Sequence, residues 1–267
     1  MNEADYSSPN GEPPLPRCKM LQPLAGQPVL AWTVQRTQQA HRIDQIVVAT
    51  SDSAEDDELA DWCLQQEIAM LPRLLRTTSS TASINAPKPT PPITLVRLTG
   101  DCPLLDPQLI DDVVDLCFKD ATVDYASNVE PMTYPEGMSV EVIPFHALEV
   151  AWLESTLPSH REHVTPFLRF HADRFRHAVL LAQPSLQHYR LTVDYEADLE
   201  ALERLIHRLS AQTGGFDFAL HDVLAVIDLD PTIAAALNGK QRDLWRQEVM
   251  RDEGRVDVAR SAVLATD

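Results

Sequence analysis

Two short motifs of the same pattern end an apolar run with an aspartate. Residues 97–101 read Arg-Leu-Thr-Gly-Asp, and residues 190–194 read Arg-Leu-Thr-Val-Asp. Each motif predicts a strand, and the ligands of open α/β sheets bind beyond the carboxyl ends of the strands. Asp101 and Asp194 are therefore expected to share one site, where two carboxylates suit Mg²⁺ with substrate phosphates and water as further ligands. A helix cap or a turn is the alternative role of either aspartate taken singly.

Two further segments carry polar side chains that fit an anionic or hydroxylated ligand. On a helix predicted over residues 161–171, Arg161 and His163 would offer a cation and an imidazole. A solvated first helical turn is the alternative. A turn at residues 134–137 leads into a strand on which Glu141 would accept hydrogen bonds from sugar hydroxyls or pair with Arg161. The alternative is a carboxylate on the surface of that strand.

The elements that must position these residues alternate between short apolar strands and helices. Strands are predicted at residues 43–50, 93–98, 123–127, 139–143, 177–182 and 190–194. Helices are predicted at residues 28–40, after a capping Ser53, and at 107–118, 145–154, 161–171, 196–210 and 219–228. This alternation predicts a mostly parallel sheet with helices on both faces.

Acidic residues dominate the chain, with 40 aspartates and glutamates against 22 lysines and arginines and a formal net charge of −18. Nucleic acids and anionic membranes recruit proteins through clustered basic residues, so neither is an expected partner. The longest apolar runs, such as residues 178–182, are far shorter than the roughly 20 residues of a membrane span. The four cysteines lack C-x-x-C spacing, and residues 1–6 lack an apolar signal. We therefore expect a cytoplasmic protein with reduced thiols.

Proline and glycine are distributed unevenly among the 267 residues. Of 20 prolines, six fall within residues 1–28 and five within 72–92, while residues 27–99 contain no glycine. Neither proline-rich window shows a helical or strand period. The predicted organisation is a disordered leader at residues 1–18, one domain at 19–237 with an irregular segment at 71–92, and a C-terminal tail at 238–267.

Five motifs follow one another along the chain. They are RLTGDCPLLDP at residues 97–107, DYASN at 124–128, TYPEG at 133–137, REHVTP at 161–166 and RLTVD at 190–194. Together they resemble the spore-coat polysaccharide synthesis protein F type of cytidylyltransferase, which is related to the acylneuraminate and 3-deoxy-manno-octulosonate cytidylyltransferases. The resemblance runs from about Lys19 to Asp230, and it is specific to the family rather than to the substrate.

This resemblance implies a Rossmann-like nucleotide-diphospho-sugar transferase sandwich, an α/β fold with a mixed sheet, over residues 19–237. It also implies attack of a sugar hydroxyl on the α-phosphorus of CTP, which releases pyrophosphate and yields a CMP-sugar for surface polysaccharide. Such a phosphoryl transfer depends mainly on positioning and charge neutralisation. Relatives of this type are commonly dimers, so a homodimer is one expectation.

The resemblance further implies roles for the motif residues. Lys19 matches the lysine that contacts the triphosphate, and Asp101 and Asp194 would hold Mg²⁺. Lys19 and Asp101 are the catalytic candidates, and Arg97 and Gly100 join Lys19 around the nucleotide. The candidates on the sugar side are Asn128, Glu141, Arg161 and His163.

The start of the chain departs from the family pattern. The family opens with a buried strand and a basic loop of the type A-R-x-x-S-x-R-L-P-G-K, whose glycine lets the backbone approach phosphate. Here Cys18 stands at the glycine position, and residues 1–14 contain no apolar run. We therefore predict that the first strand is missing or degraded, which would leave the strand at 43–50 without its neighbour.

A second departure lies within residues 71–92, where the family carries an acidic segment ending in D-D-V-L-D-R-[FY]. This chain has no aspartate or glutamate from Ile68 to Gly100 and reads TTSSTASIN at residues 77–85. Codons for D-D-V-L-D-R-F-H-Q, read one base later, encode T-T-S-S-T-A-S-I followed by Asn or Lys. One hypothesis is therefore a segment translated out of the ancestral frame, which resequencing of the coding DNA tests. A diverged surface loop is the alternative.

Three functions are compatible with these residues. The first is an active Mg²⁺-dependent cytidylyltransferase. The second is a catalytically defective relative, a pseudoenzyme or binding partner that lacks the triphosphate loop. The third is a glycosyltransferase, because that activity shares the fold class and a carboxylate metal site.

Overall fold

The computed structural model describes residues 15, 17–50, 54–72, 93–163, 165–215, 217–238 and 249–254. Most of the predicted leader, the capping Ser53 and nearly all of the predicted irregular segment 71–92 lie outside these residues. The hypothesis of a frame-shifted segment therefore stays a prediction.

Short strands form three sheets among the described residues. Strand β1 (Pro23–Leu24) pairs antiparallel with β2 (Gln27–Pro28), and β3 (Val47–Thr50) pairs parallel with β4 (Ala69–Pro72). The third sheet has the order β5-β7-β6-β8, from β5 (Thr94–Arg97), β6 (Tyr125–Ser127), β7 (Glu141–Pro144) and β8 (His177–Val179). Strand β7 is antiparallel to β5 and β6, whereas β8 is parallel to β6, so this sheet is mixed.

Helices connect the strands and cover the sheets. They are α1 (Val29–Thr37), α2 (Asp57–Gln65), α3 (Pro107–Lys119), α4 (Phe145–Glu154), α5 (Pro158–His163), α6 (Pro166–Phe170), α7 (Glu196–Thr213), α8 (Leu220–Leu229) and α9 (Pro231–Asn238). A 3-10 helix at Arg17–Leu21 precedes β1, a second at Ala54–Asp56 precedes α2, and residues 249–254 are helical.

Local chemistry fixes the ends of α3 and α7. At the start of α3, Asp106 Oδ1 accepts the backbone N–H of Gln108 at 2.8 Å. Pro107 occupies the first helical position, where its missing N–H costs nothing. Helix α7 ends at Gly214, whose φ of 80° lies in the left-handed region that favours glycine.

Helix α1 packs against two apolar clusters with different faces. Val29 and Trp32 belong to the main core, which also contains buried side chains of α3, α7, α8 and β7. Leu30 and Val34 instead join Cys63 in a smaller cluster with side chains of β3 and β4. Helix α1 therefore connects the β3–β4 pair to the rest of the fold.

The predicted α/β fold with a mixed sheet is confirmed, but the four-stranded sheet is not mostly parallel, because β7 runs antiparallel to both β5 and β6. Several elements also differ in detail. The helix predicted over residues 161–171 is two short helices, α5 and α6, because Pro166 has no N–H to donate and begins a new helix. The prediction also missed the β1–β2 hairpin, β4 and α9. The prediction that the first strand is missing or degraded concerns residues before 15, which lie outside the described ones. Strands β3 and β5 each pair with a described strand on one side only.

The thiols of Cys63, Cys102 and Cys117 are free. Burial raises the pKa of the Cys63 thiol and raises that of Cys117 to about 11. Both thiols are therefore protonated at neutral pH. Within the described residues, no helix combines the length and apolar character needed to cross a membrane.

Candidate active site

Backbone hydrogen bonds bring the two aspartate motifs together. The N–H of Val193 donates to the carbonyl of Asp101 at 3.0 Å, which joins the end of one motif to the other. The N–H of Leu15 donates to the carbonyl of Asp194 at 2.8 Å. Leu15, which lies two residues before the Arg17–Leu21 helix, is therefore held beside Asp194.

The segment at residues 190–194 is not a regular strand, so that prediction is wrong. It forms an isolated bridge between Glu136 and Arg190, and the N–H of Leu191 donates to the Glu136 carbonyl at 2.8 Å. Two residues further on, the N–H of Val193 donates to the carbonyl of Asp101 in another loop. Because two different loops share its hydrogen bonds, the segment is held without a continuous ladder.

The Lys19 ammonium lies between the two predicted metal ligands. Its Nζ is 2.9 Å from Asp101 Oδ2 and 2.7 Å from Asp194 Oδ1. Burial alone would lower the pKa of Lys19, but the charges and hydrogen bonds of the two aspartates outweigh burial and raise that pKa. The lysine therefore carries its positive charge here, and three of the predicted site residues meet at one point.

Arg190 and Asp198 hold Asp194 from the other side. The Arg190 guanidinium donates to Asp194 Oδ2 at 2.5 Å and to Asp198 Oδ1 at 2.7 Å. The fully buried Asp198 also accepts the N–H groups of Asp194 and Tyr195 through Oδ2, both at 2.9 Å, which caps the start of α7. Burial alone would raise the pKa of Asp194, but Lys19 and Arg190 hold that pKa below its ordinary value. Asp194 is thus ionised and fixed in orientation.

The donor set at this point fits a Mg²⁺ ion. The Lys19 ammonium is a stand-in cation, to which Asp101 and Asp194 each direct one oxygen at 2.9 and 2.7 Å. In the part of the chain that the structure describes, no group of three or more histidine, cysteine, aspartate or glutamate side chains could hold a metal ion. Mg²⁺ is usually held by one or two carboxylates together with substrate phosphates and water, so two aspartates are sufficient.

Gly100 allows its loop to pack tightly against neighbouring helices. A Cβ at this position would lie 3.1 Å from Met20 Sδ and 3.3 Å from Leu30 Cδ1, which is closer than ordinary van der Waals contact. The Gly100 carbonyl also accepts the Thr33 hydroxyl at 2.9 Å. Helix α1 and the 3-10 helix before β1 therefore fix the position of this loop.

Glu141 is fully buried at the centre of a second ionic cluster. Its Oε1 accepts Arg97 Nη1 at 2.6 Å, and its Oε2 accepts the Tyr125 hydroxyl at 2.5 Å and Arg169 Nη2 at 2.8 Å. Burial alone would raise the pKa of Glu141, but Arg169 and Arg97 lower it to about 2. The predicted pairing of Glu141 with Arg161 is wrong, because Arg97 and Arg169 occupy its two oxygens.

The side chain of Arg161, a residue of α5, contacts the carboxyl end of α4. Its guanidinium donates to the carbonyls of Trp152 at 3.1 Å and Ser155 at 3.0 Å, and it stacks over the Trp152 ring at 4.4 Å. The last carbonyls of a helix lack partners within the helix, so Arg161 stabilises this end of α4. His163 is half-buried at the end of α5. The assignment of both residues to the sugar side stays a prediction.

Asn128 connects the end of β6 to the start of β7. Its Nδ2 donates to the Met138 carbonyl at 2.7 Å, and its Oδ1 accepts the N–H of Val140 at 2.9 Å. These bonds position β7, which begins with Glu141. Sugar binding by Asn128 itself stays a prediction.

Sequence reasoning missed three residues that contact the predicted carboxylates: Arg169, Tyr125 and Arg190. Arg190 and Asp194 are four residues apart and pair directly, so the repeated RLTxD pattern held a usable signal. Arg169 lies on α6 and Tyr125 on β6. No local pattern in the sequence connects these two elements to Glu141.

A cytidylyltransferase family model matches residues 17–216, a range that contains Lys19 and both aspartate motifs. The chain belongs to the cytidylyltransferase family. This membership confirms the family that the five motifs predicted.

Two relatives and one solved structure are similar to the chain over most of its length. The chain is 28% identical over 231 residues to the spore coat polysaccharide biosynthesis protein SpsF of Bacillus subtilis, with 81% of this chain and 90% of the relative covered. It is 30% identical over 213 residues to the uncharacterized protein MJ1063 of Methanocaldococcus jannaschii, with 79% of this chain and 82% of the relative covered. Its fold is similar to that of a cytidylyltransferase from Leptospira borgpetersenii serovar Hardjo-bovis, with a TM-score of 0.70 and 23% identity. The similarity covers 84% of this chain and 91% of the other.

Proposed function

We propose that the chain is a Mg²⁺-dependent cytidylyltransferase that transfers CMP from CTP to a sugar or sugar acid and releases pyrophosphate. The observation that carries this proposal is the convergence of Lys19, Asp101 and Asp194, with contacts of 2.9 and 2.7 Å. Membership of the cytidylyltransferase family supports CTP as the nucleotide. The name of the Bacillus subtilis relative supports a role in surface polysaccharide synthesis.

The reaction needs positioning and charge neutralisation more than covalent chemistry. A sugar hydroxyl oxygen bonds to the α-phosphorus, the bond from that phosphorus to the bridging oxygen breaks, and pyrophosphate leaves while the hydroxyl proton passes to solvent. Asp101 and Asp194 would hold Mg²⁺, which when bound supplies positive charge to the phosphate oxygens. Lys19 contributes its ammonium to the triphosphate, and Arg190 keeps Asp194 ionised and oriented.

The cluster around Glu141 supports an anionic group nearby. Two guanidinium groups, those of Arg97 and Arg169, contact the single carboxylate of Glu141 at 2.6 and 2.8 Å. The side chain of Arg97 is 26% exposed, whereas that of Glu141 is 1% exposed. Arg97 is therefore the member that would meet a nucleotide phosphate or the carboxylate of a sugar acid.

Pyrophosphate release on mixing with CTP, Mg²⁺ and candidate sugars tests the proposal. We expect Asp101→Asn and Asp194→Asn each to lower this release by about a hundredfold or more, since each removes a charge needed at the triphosphate. Asp173→Asn is the matched control, because Asp173 is an exposed aspartate in the turn after α6. If Asp101→Asn retained full Mg²⁺-dependent turnover, the metal assignment would be wrong.

The two alternative functions give different results in the same experiments. A defective relative would release no pyrophosphate with any sugar, and calorimetry would detect no binding of CTP. A glycosyltransferase would consume a nucleotide sugar and release a nucleotide rather than pyrophosphate. Sedimentation of the purified chain would test the expected homodimer.

A further inference from the structure

We propose that Lys19 is an internal cation that occupies the metal position between Asp101 and Asp194 until a triphosphate draws its ammonium away. The inference rests on the proposed function, since it assigns the same two carboxylates to the divalent cation. It adds that the lysine and the metal compete for one place. The nucleotide would relieve this competition.

The two carboxylate oxygens of Asp194 contact different groups. Asp194 Oδ2 is already committed, because it accepts Arg190 Nη2 at 2.5 Å and the Thr192 hydroxyl at 3.1 Å. The other oxygen, Oδ1, accepts Lys19 Nζ at 2.7 Å. Any cation held by Asp194 together with Asp101 must therefore use the oxygen that Lys19 now holds.

Lys19 and Arg190 differ in how they contact the two aspartates. Arg190 pairs with Asp194 at 2.5 Å and with the fully buried Asp198 at 2.7 Å, whereas Lys19 pairs with both Asp101 and Asp194. With the ammonium in place, the two aspartates and the lysine sum to one negative charge. Once the ammonium leaves, the two aspartates present two negative charges, which match one divalent cation.

The Lys19 side chain is partly exposed to solvent. Lys19 lies on the short 3-10 helix Arg17–Leu21, and its side chain is 21% exposed. A triphosphate beside this helix would contact the ammonium through the open side. Rotation of the lysine side chain transfers one positive charge from the carboxylates to the phosphates without any change in the backbone.

A thermodynamic consequence follows from this competition. A triphosphate that takes the ammonium raises the affinity of the carboxylates for a divalent cation, and the cation raises the affinity for the triphosphate by the same factor. Metal alone binds weakly because it must first displace Lys19. Nucleotide and metal are therefore expected to bind together.

Binding of Mn²⁺ in the absence of nucleotide, followed by electron paramagnetic resonance, tests this competition. We expect Lys19→Met to bind Mn²⁺ about tenfold more tightly than the wild type, corresponding to the loss of about 1.4 kcal/mol of competition. Lys119→Met, at the exposed end of α3, is the matched control and is expected to leave Mn²⁺ affinity unchanged. Unchanged or weaker Mn²⁺ binding in Lys19→Met would overturn the inference.

Amine labelling of the wild type covers the case in which Lys19→Met folds poorly. The chain has four lysines, at positions 19, 88, 119 and 240, so mass spectrometry resolves each site. We expect saturating Mn²⁺ without nucleotide to increase the labelling rate of Lys19 relative to Lys119. An unchanged ratio, under conditions where Mn²⁺ binding is measured, would contradict the displacement of Lys19.

The variant Asp101→Asn separates this inference from the proposed function. If Asp101→Asn abolishes Mn²⁺ binding while Lys19→Met leaves it unchanged, the carboxylates hold the metal and only the competition is wrong. If neither the wild type nor Lys19→Met binds Mn²⁺, the metal site itself fails, and the inference fails with it.

Discussion

Glu141 shows how strongly a single buried charge depends on its partners. Its carboxylate is 1% exposed and contacts Arg97, Arg169 and Tyr125. Removing one partner of a buried ion pair leaves an uncompensated charge, which typically costs about 3–5 kcal/mol. Glu141 therefore contributes to stability in a way that depends on its ionisation.

We expect Glu141→Gln to lower the free energy of unfolding by about 3 kcal/mol at pH 7. The pKa of Glu141 is lowered from an ordinary value of 4.5 to about 2, so the unfolded chain binds the extra proton between these values. The stabilisation is complete above pH 4.5 and is lost as the pH falls toward 2, so the difference between wild type and variant should shrink over that range. Urea unfolding of both proteins at several pH values measures this difference in the free energy of unfolding.

Glu154→Gln is the control for this experiment. Glu154 pairs with Arg174 at the surface, where the side chains are 45% and 41% exposed, respectively. Exposed pairs contribute little, so this variant should unfold nearly as the wild type does. A pH-independent difference for Glu141→Gln would mean that the carboxylate charge does not stabilise the fold.

At the residue scale, sequence reasoning located the carboxylates better than their partners. Asp101 and Asp194 were predicted as one site because each ends a repeated motif, and the structure joins them through Lys19. The partner of Glu141 was predicted wrongly. Arg161, on α5, contacts the carboxyl end of α4, whereas Arg169 reaches Glu141 from α6. Which arginine reaches Glu141 depends on how these short helices pack.

At the scale of elements, the turn at residues 134–137 supports the segment that carries Asp194. Gly137 has a φ of 96°, and a Cβ there would lie 2.7 Å from the carbonyl carbon of Leu191 and 2.8 Å from its oxygen. That contact is with backbone, which cannot move aside as a flexible side chain would. The turn and residues 190–194 are therefore packed without space for a methyl group.

We expect Gly137→Ala to lower the free energy of unfolding by more than the roughly 1–2 kcal/mol of left-handed strain alone. Gly214→Ala is the matched control, since Gly214 has a φ of 80° but no atom within 4 Å of its hypothetical Cβ. Chemical denaturation of both variants measures the difference. Equal losses in the two variants would show that the backbone of Leu191 yields without cost.

The boundaries of elements were the least predictable feature from sequence. Apolar runs predicted the strands, but hydrogen bonding ends β8 at Val179, whereas the apolar run extends to 182. Pro166 divides a region that was predicted as one helix. The hairpin of β1 and β2 was missed because two-residue strands carry too few side chains to show alternation.

At the scale of the whole molecule, part of the predicted tail is packed against α5. The helical residues 249–254 lie beyond residue 216, where the match to the family model ends. Asp252 Oδ2 accepts the N–H of Ser159 at 3.1 Å, and Val249 is fully buried. This segment therefore supports α5, which carries part of the REHVTP motif.

We expect Asp252→Ala to increase hydrogen exchange in α5, because it removes the acceptor of the Ser159 N–H. Loss of such an acceptor costs about 1 kcal/mol, which corresponds to roughly fivefold more frequent opening. Mass spectrometry of the peptide over residues 157–163 measures the rate. Arg251→Ala, on the exposed side of the same helix, should leave exchange unchanged, and equal exchange in all three proteins would contradict support by the tail.

The contact between Arg190 and Asp198 restricts how this part of the molecule can evolve. Both side chains are buried, with exposures of 1% and 0%, and Asp198 also caps α7. A single substitution at either position removes one member of this buried ion pair and leaves the other charge buried, so the two sites are epistatic. Lineages of this family that have lost the acid at the position of Asp198 should also have replaced the arginine at the position of Arg190, and each single replacement should be rare.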